Sequence, residues 1–127
     1  MYKVEIANDG NYKFIVKAKS HELIVDAKGA EGITPPDVLL ASLGSCVGVY
    51  IRKYAEGARL ELGRFNISVE ADLGTQAPLG FRQIKVTIDL AGATLDERRK
   101  KAIVDFIKHC PIHNTLKSSP AVDITIS

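Results

Sequence analysis

Apolar and polar positions alternate along the first third of the chain. Tyr2, Val4 and Ile6 are separated by charged residues, and Tyr12, Phe14 and Val16 repeat the period of two. Between the two runs, Asn8-Asp9-Gly10-Asn11 supplies residues that accept the positive φ angles of a tight turn. Residues 2–17 are therefore predicted to form a hairpin, followed by a third strand from His21 to Asp26 and a mobile, Gly-containing loop over 27–33. The pattern then changes. Thr34 can cap a helix, Pro35 and Pro36 suit its first turn, and Asp37 favours the positive end of its dipole. From Val38 to Ala55 the apolar residues cover nearly the whole circumference, so this helix is expected to be surrounded by protein, with Gly57 as its C′ residue.

Phe65, Ile67, Val69 and Ala71, and later Ile84, Val86, Ile88 and Leu90, alternate with polar residues and predict two strands with one wet face each. Gly74 to Gly80 is the loop between them. Thr94-Leu95-Asp96-Glu97 reads as a capping box, opening a helix whose apolar stripe is Ala102, Ile103, Phe106, Ile107 and Cys110. Pro111 interrupts that helix and starts a short third one, and Val122, Ile124 and Ile126 predict a last strand. The fold class is α+β: antiparallel strands, a long buried central helix and a second helix pair. A chain this small has little material to wrap an apolar helix, so a homodimer is expected to supply the missing cover.

With 127 residues, one domain spanning 1–127 is expected. A formal net charge of +2 gives no push toward nucleic acid. Residues 35–51 carry a single charge, Asp37, but that run is at the short limit for a membrane span and contains Ser42, Gly44, Ser45 and Gly48. No membrane partner is expected. The N-terminus lacks the apolar core of a signal peptide, and two cysteines are too few for a secreted disulfide framework. Both point to a reducing compartment, the cytoplasm.

Those two residues, Cys46 and Cys110, are the candidate chemistry. Cys46 sits mid-helix among apolar neighbours, where a thiol commonly packs as a small hydrophobe. Cys110 precedes Pro111 and stands at or near a helix N-cap, where backbone N–H groups and the dipole stabilise a thiolate. On residue chemistry alone Cys110 is the better activated of the two. Each lies on the apolar stripe of its helix, so the sulfurs meet if the helices pack together; the spacing of 64 leaves this open.

Residues 32–46, Gly-Ile-Thr-Pro-Pro-Asp-Val-Leu-Leu-Ala-Ser-Leu-Gly-Ser-Cys, resemble the OsmC/Ohr superfamily segment that leads into its first cysteine. Residues 110–114, Cys-Pro-Ile-His-Asn, resemble its second-cysteine motif, and the element order matches along nearly the full chain. The resemblance implies an intertwined homodimer with active sites at the interface. It implies a thiol-dependent peroxidase, peroxiredoxin-like in its use of redox-active cysteines, that reduces organic hydroperoxides in oxidative or osmotic stress. Cys46 is then the peroxidatic thiol, forming a sulfenic acid, and Cys110 the resolving thiol. An external dithiol reductant restores both, and no metal or organic cofactor is required. The family's arginine from the N-terminal strands has no counterpart before Arg52, leaving Lys13, Lys17, Lys28 or Arg82 as substitutes. Its helix-start glutamate corresponds to Asp37, a candidate catalytic residue one methylene shorter.

The missing arginine and the shortened carboxylate favour an alternative of a different class: a non-catalytic dimer of the same fold that binds a small apolar ligand. Other constellations are weaker. His109, Cys110, His113 and Cys46 contain zinc-type donors without the closely spaced second pair of a structural site. A Cys–His nucleophile from Cys46 with His109 or His113 has no distinguishing spacing. Arg98-Arg99-Lys100-Lys101 spans more than one helix face, with Asp96, Glu97 and Asp105 nearby, and reads as a solvated surface.

Overall fold

The computed structural model describes all 127 residues. They divide into two compact units, Met1–Ala41 and Ser42–Ser127. The first carries strands β1 (Glu5–Asn8), β2 (Lys13–Ala18) and β3 (His21–Asp26), an antiparallel sheet in the order β1-β2-β3. The hairpin register pairs Glu5 with Lys17 and Asn8 with Phe14, so Tyr2 and Val4 lie outside the ladder. The turn is held by Asn8, whose side chain donates to the Asn11 and Lys13 carbonyls and accepts from Gly10 N–H, with Gly10 at φ 111°. The loop after β3 is tied down, contrary to the expected mobility. Asp26 accepts from Lys28 N–H at 2.8 Å and Glu31 N–H at 3.0 Å, and its own N–H donates to the Ile33 carbonyl. A side chain at Gly32 would strike the Ile24 carbonyl, so only glycine lets the loop close this tightly.

Helix α1 (Pro35–Gly57) begins in the first unit and continues into the second. The second unit adds β4 (Asn66–Ala71), β5 (Ile84–Asp89), α2 (Glu97–Ile107) and α3 (Pro111–Ser118). β4 and β5 pair so that Ile67 faces Ile88, Val69 faces Val86 and Ala71 faces Ile84, while Ser68–Thr87 and Glu70–Lys85 share the other face. A one-residue slip would put the apolar set in water, which locks the register. Leu43, Val47 and Ile51 of α1 pack with Ile103 and Ile107 of α2 against that apolar face. The helix comes close to the sheet at its glycines: a methyl group on Gly44 would lie 3.0 Å from Val69 Cγ2.

The expectation that α1 is buried on all sides needs correction for the single chain. Its buried residues, Leu43, Gly44, Val47, Ile51 and Ala55, form one stripe, while Leu39 and Val49 are exposed. The helix also ends differently. Gly57 is still helical, and the left-handed C′ position is taken by Arg59 at φ 53°, with Leu60 N–H donating to Ala55 and Arg59 N–H to Glu56. That is a Schellman closure displaced by two residues, because the chain turns only after the apolar stripe reaches Ala55.

Two further expectations are corrected. α2 is capped by Asp96, whose carboxylate accepts from Arg99 N–H at 2.8 Å, so Thr94 is not its cap. The carboxylate is the stronger acceptor and stands one residue before the helix. The predicted last strand does not form: residues 119–127 belong to no ladder, and Val122, Ile124 and Ile126 are 77%, 85% and 96% exposed. Alternation marks a strand's faces, but a strand exists only beside a hydrogen-bonding edge, and none in the chain pairs with this segment.

Candidate functional site

Cys110 owes its place to Pro111. Proline has no N–H to continue α2 and its fixed φ suits a first helical turn, so one helix ends at Ile107 and another begins at Pro111. Cys110 becomes the N-cap of α3 with extended backbone, and its Sγ accepts from His113 N–H at 3.5 Å. The residue is fully buried. Cys46 lies mid-way along α1, half-buried, next to the buried Val47. The two sulfurs are bonded to each other as a disulfide, their Cα atoms 6.2 Å apart, inside the range that a disulfide spans. Packing of α1 with the second helix pair thus brings together residues 64 apart in sequence. Neither thiol is free in this state.

The second unit also forms a cavity of about 520 Å³. Leu43 and Val47, which flank Cys46 on α1, line it together with Ile84, Val86 and Ile107. Arg82, Lys108, Lys117 and His113 add positive or titratable groups, and no acidic side chain lines it. Tyr50 is not part of the wall; it packs on Phe106, ring centroids 5.9 Å apart. The cations were invisible as a group in the sequence, because they come from three separate segments. Arg82 hydrogen-bonds the Pro78 carbonyl at 3.0 Å, which anchors it beside the cavity.

The two histidines differ. His109 Nδ1 lies 3.0 Å from the Phe106 carbonyl and its ring packs on Phe106. His113 Nδ1 is buried without any hydrogen-bond partner. No group of three or more His, Cys, Asp or Glu side chains gathers where it would hold a metal ion.

Asp37 stands in the first unit. Its carboxylate accepts from Thr34 N–H at 3.1 Å and Thr34 Oγ1 at 2.7 Å, while Asp37 N–H donates back to Thr34 Oγ1 at 3.4 Å. This reciprocal capping box satisfies N–H groups that the helix leaves open. The side-chain bond from Thr34, and then its backbone bond, hold the Asp37 carboxyl below its ordinary pKa. Three lysines of this unit are engaged locally: Lys13 with Glu31, Lys17 with Glu22, and Lys28 over the Tyr12 ring. The basic run is likewise paired, Lys100 with Glu97 and Lys101 with Asp105, as a solvated helix face would be.

No helix is long and apolar enough to cross a membrane. No functionally curated protein matches the chain significantly. Among solved structures, an OsmC-like protein from Mycoplasma pneumoniae superposes with a TM-score of 0.81 at 21% identity, covering 93% of this chain and 88% of that one. An organic hydroperoxide resistance protein OsmC from Legionella pneumophila matches with a TM-score of 0.65 at 20% identity, covering 93% and 91%. A Vibrio cholerae protein provisionally described as an organic hydroperoxide resistance protein, with captopril bound in one of its active sites, matches with a TM-score of 0.65 at 16% identity, covering 93% and 86%. At these identities the likeness establishes the fold. The family model for OsmC-like proteins matches residues 27–125, across both units and both cysteines, and this chain belongs to that family.

Proposed function

We propose that the protein is a thiol peroxidase that reduces organic hydroperoxides, with Cys46 as the attacking thiol and Cys110 as the resolving one. The carrying observation is the pairing of the two cysteines, one half-buried and one sealed at a helix N-cap. In the reaction, the Cys46 thiolate attacks the terminal oxygen of R–O–O–H. The O–O bond breaks, an alcohol leaves and a sulfenic acid remains. Cys110 then displaces the hydroxyl group as water and closes the disulfide, which an external dithiol reduces. The family resemblance decides the direction, since it assigns attack to the first cysteine, and the half-buried Cys46 is the easier to reach.

Asp37 enters this reading as a positioning residue, through the capping box that starts the helix carrying Cys46. Leu43 and Val47 beside the sulfur favour an organic peroxide over hydrogen peroxide; equal rates with both would sink that preference. We further propose that residues 1–127 act as one OsmC-like domain in the cytoplasm, as a homodimer serving the stress response. The exposed Leu39 and Val49 of α1 and the unpaired tail at Val122, Ile124 and Ile126 support the dimer. Sedimentation at micromolar concentration should give twice the chain mass.

The test is consumption of cumene hydroperoxide by pure protein with a dithiol, beside Cys46→Ser and Cys110→Ser. Turnover should vanish in Cys46→Ser, and Cys110→Ser should stall after one cycle or depend on added thiol. No turnover in the unmodified protein would overturn the reading. A second reading, a non-catalytic dimer holding a small apolar ligand, is supported by the cavity of about 520 Å³ and by the occupation of the Asp37 carboxylate with Thr34. The pH dependence of alkylation separates the two: a peroxidase shows a fast thiol below neutral pH, a binding module does not.

A further inference from the structure

The resolving thiol of this reading faces a proton problem. Cys110 is 0% exposed, so its thiol proton has no direct path to water. Yet that proton must leave before the sulfur attacks, and must return when the disulfide is reduced. Of the two histidines that bracket Cys110, His109 is held to the Phe106 carbonyl at 3.0 Å. His113 is not held. Its backbone N–H is 3.5 Å from Cys110 Sγ, its Nδ1 is buried and unpartnered, and the residue lines the cavity that Leu43 and Val47 of α1 also line. It therefore stands between the sealed sulfur and a space whose rim residues Lys108 and Lys117 are exposed.

We propose that His113 carries the proton of Cys110 in both halves of the cycle, as the general base and general acid for that sulfur. The inference rests on the peroxidase reading for its oxidative half. There, the Cys110 proton passes to His113 Nδ1 and the sulfur lone pair forms the S–S bond. The S–O bond of the Cys46 sulfenic acid breaks, and the departing hydroxide takes the proton from His113 as water. In the reductive half, a thiolate of the external dithiol attacks the half-buried Cys46 sulfur, because Cys110 is sealed. The S–S bond breaks with its electron pair on Cys110, and His113, reprotonated from solvent through the cavity, gives a proton to that sulfur. The second thiol of the reductant then attacks the mixed disulfide and frees Cys46. The charged groups that line the same cavity are Arg82 ahead of β5, Lys108 at the end of α2 and Lys117 on α3; α1 contributes only Leu43 and Val47 to it.

The experiment measures two rates from pH 5 to 9 in the full chain and in His113→Asn, His113→Gln and His109→Asn. One is reduction of the disulfide, preformed with diamide, by dithiothreitol. The other is closure of the disulfide after one equivalent of cumene hydroperoxide, followed by trapping the sulfenic acid. Both His113 variants should lose about 10²-fold in each rate, with part of the rate restored by added imidazole. His109→Asn should stay within twofold of the full chain. Unchanged rates and pH profile in a His113 variant that melts like the parent overturn the proposal, as does an equal loss in His109→Asn. If both His113 variants unfold, the parent decides, and a disulfide-closure rate that is the same in water and in heavy water overturns it. The diamide arm involves no peroxide. A protein that reduces no hydroperoxide would refute the peroxidase reading while leaving His113 still tested.

Discussion

Oxidation of Cys46 and Cys110 should be readable as a large gain in stability. The bond closes a loop with a sequence separation of 64, joining the middle of α1 to the N-cap of α3. By the loop-entropy account, closing a loop of that length restricts the unfolded chain by about 4 kcal/mol at 25 °C, and disulfides commonly deliver about 2–4. For a chain of this size 1 kcal/mol moves the midpoint by roughly 3–5 °C, so oxidised protein should melt about 6–20 °C above reduced protein. The assay is thermal unfolding at fixed protein concentration after treatment with either one equivalent of cumene hydroperoxide or a dithiol, with mass spectrometry reporting the bond. Cys110→Ser should show no such difference between treatments. Equal midpoints in parent protein whose disulfide is verified by mass would refute the reasoning. They would mean that the native state rearranges to accept the bond, rather than holding both sulfurs within reach beforehand.

Four further outcomes follow from the same structure. Thr34→Ala should lower stability by about 1 kcal/mol in urea titration through loss of the α1 cap. Because hydrogen bonding depresses the Asp37 pKa from 3.8, its contribution is present above that pH and lost as pH falls through the lower folded-state value. Asp37→Asn should therefore weaken this part of the acid unfolding limb, as followed by circular dichroism. Gly44→Val should cost about 1–3 kcal/mol, since even a methyl there would press on Val69 at 3.0 Å; an unchanged midpoint would show that α1 can move off the sheet. Arg59→Gly should stabilise by about 0.5–1 kcal/mol, relief of the left-handed backbone outweighing the entropy that glycine loses on folding.

The elements were legible because their causes are short-range. A period of two over Ile67, Val69 and Ala71 produces a strand by sterics within a few residues, and Pro111 ends one helix and starts another through its own ring. The capping pair Thr34 and Asp37 was readable for the same reason: both partners lie within one turn. Even the N-cap position of Cys110 followed from its neighbour.

What remained hidden depends on where distant segments stop relative to one another. Thr94 and Asp96 are both competent caps, and the packing of α2 through Ile103 and Ile107 chose the later start. Gly57 suits a left-handed residue, yet the turn falls at Arg59 because the buried stripe of α1 runs to Ala55. The tail at Val122, Ile124 and Ile126 has a strand's pattern and no edge to pair with, a property of its surroundings rather than of its residues. The sequence alone therefore determined the α+β class, the family and the two cysteines as the candidate site, since local sterics and motif residues carry them. Tertiary structure decided that Cys46 meets Cys110, that three scattered cations line one cavity, and that His113 rather than His109 keeps a buried ring nitrogen without a partner. Those facts arise from burying one apolar stripe of α1 against one sheet face, a balance struck over the whole unit and not over any short window of residues.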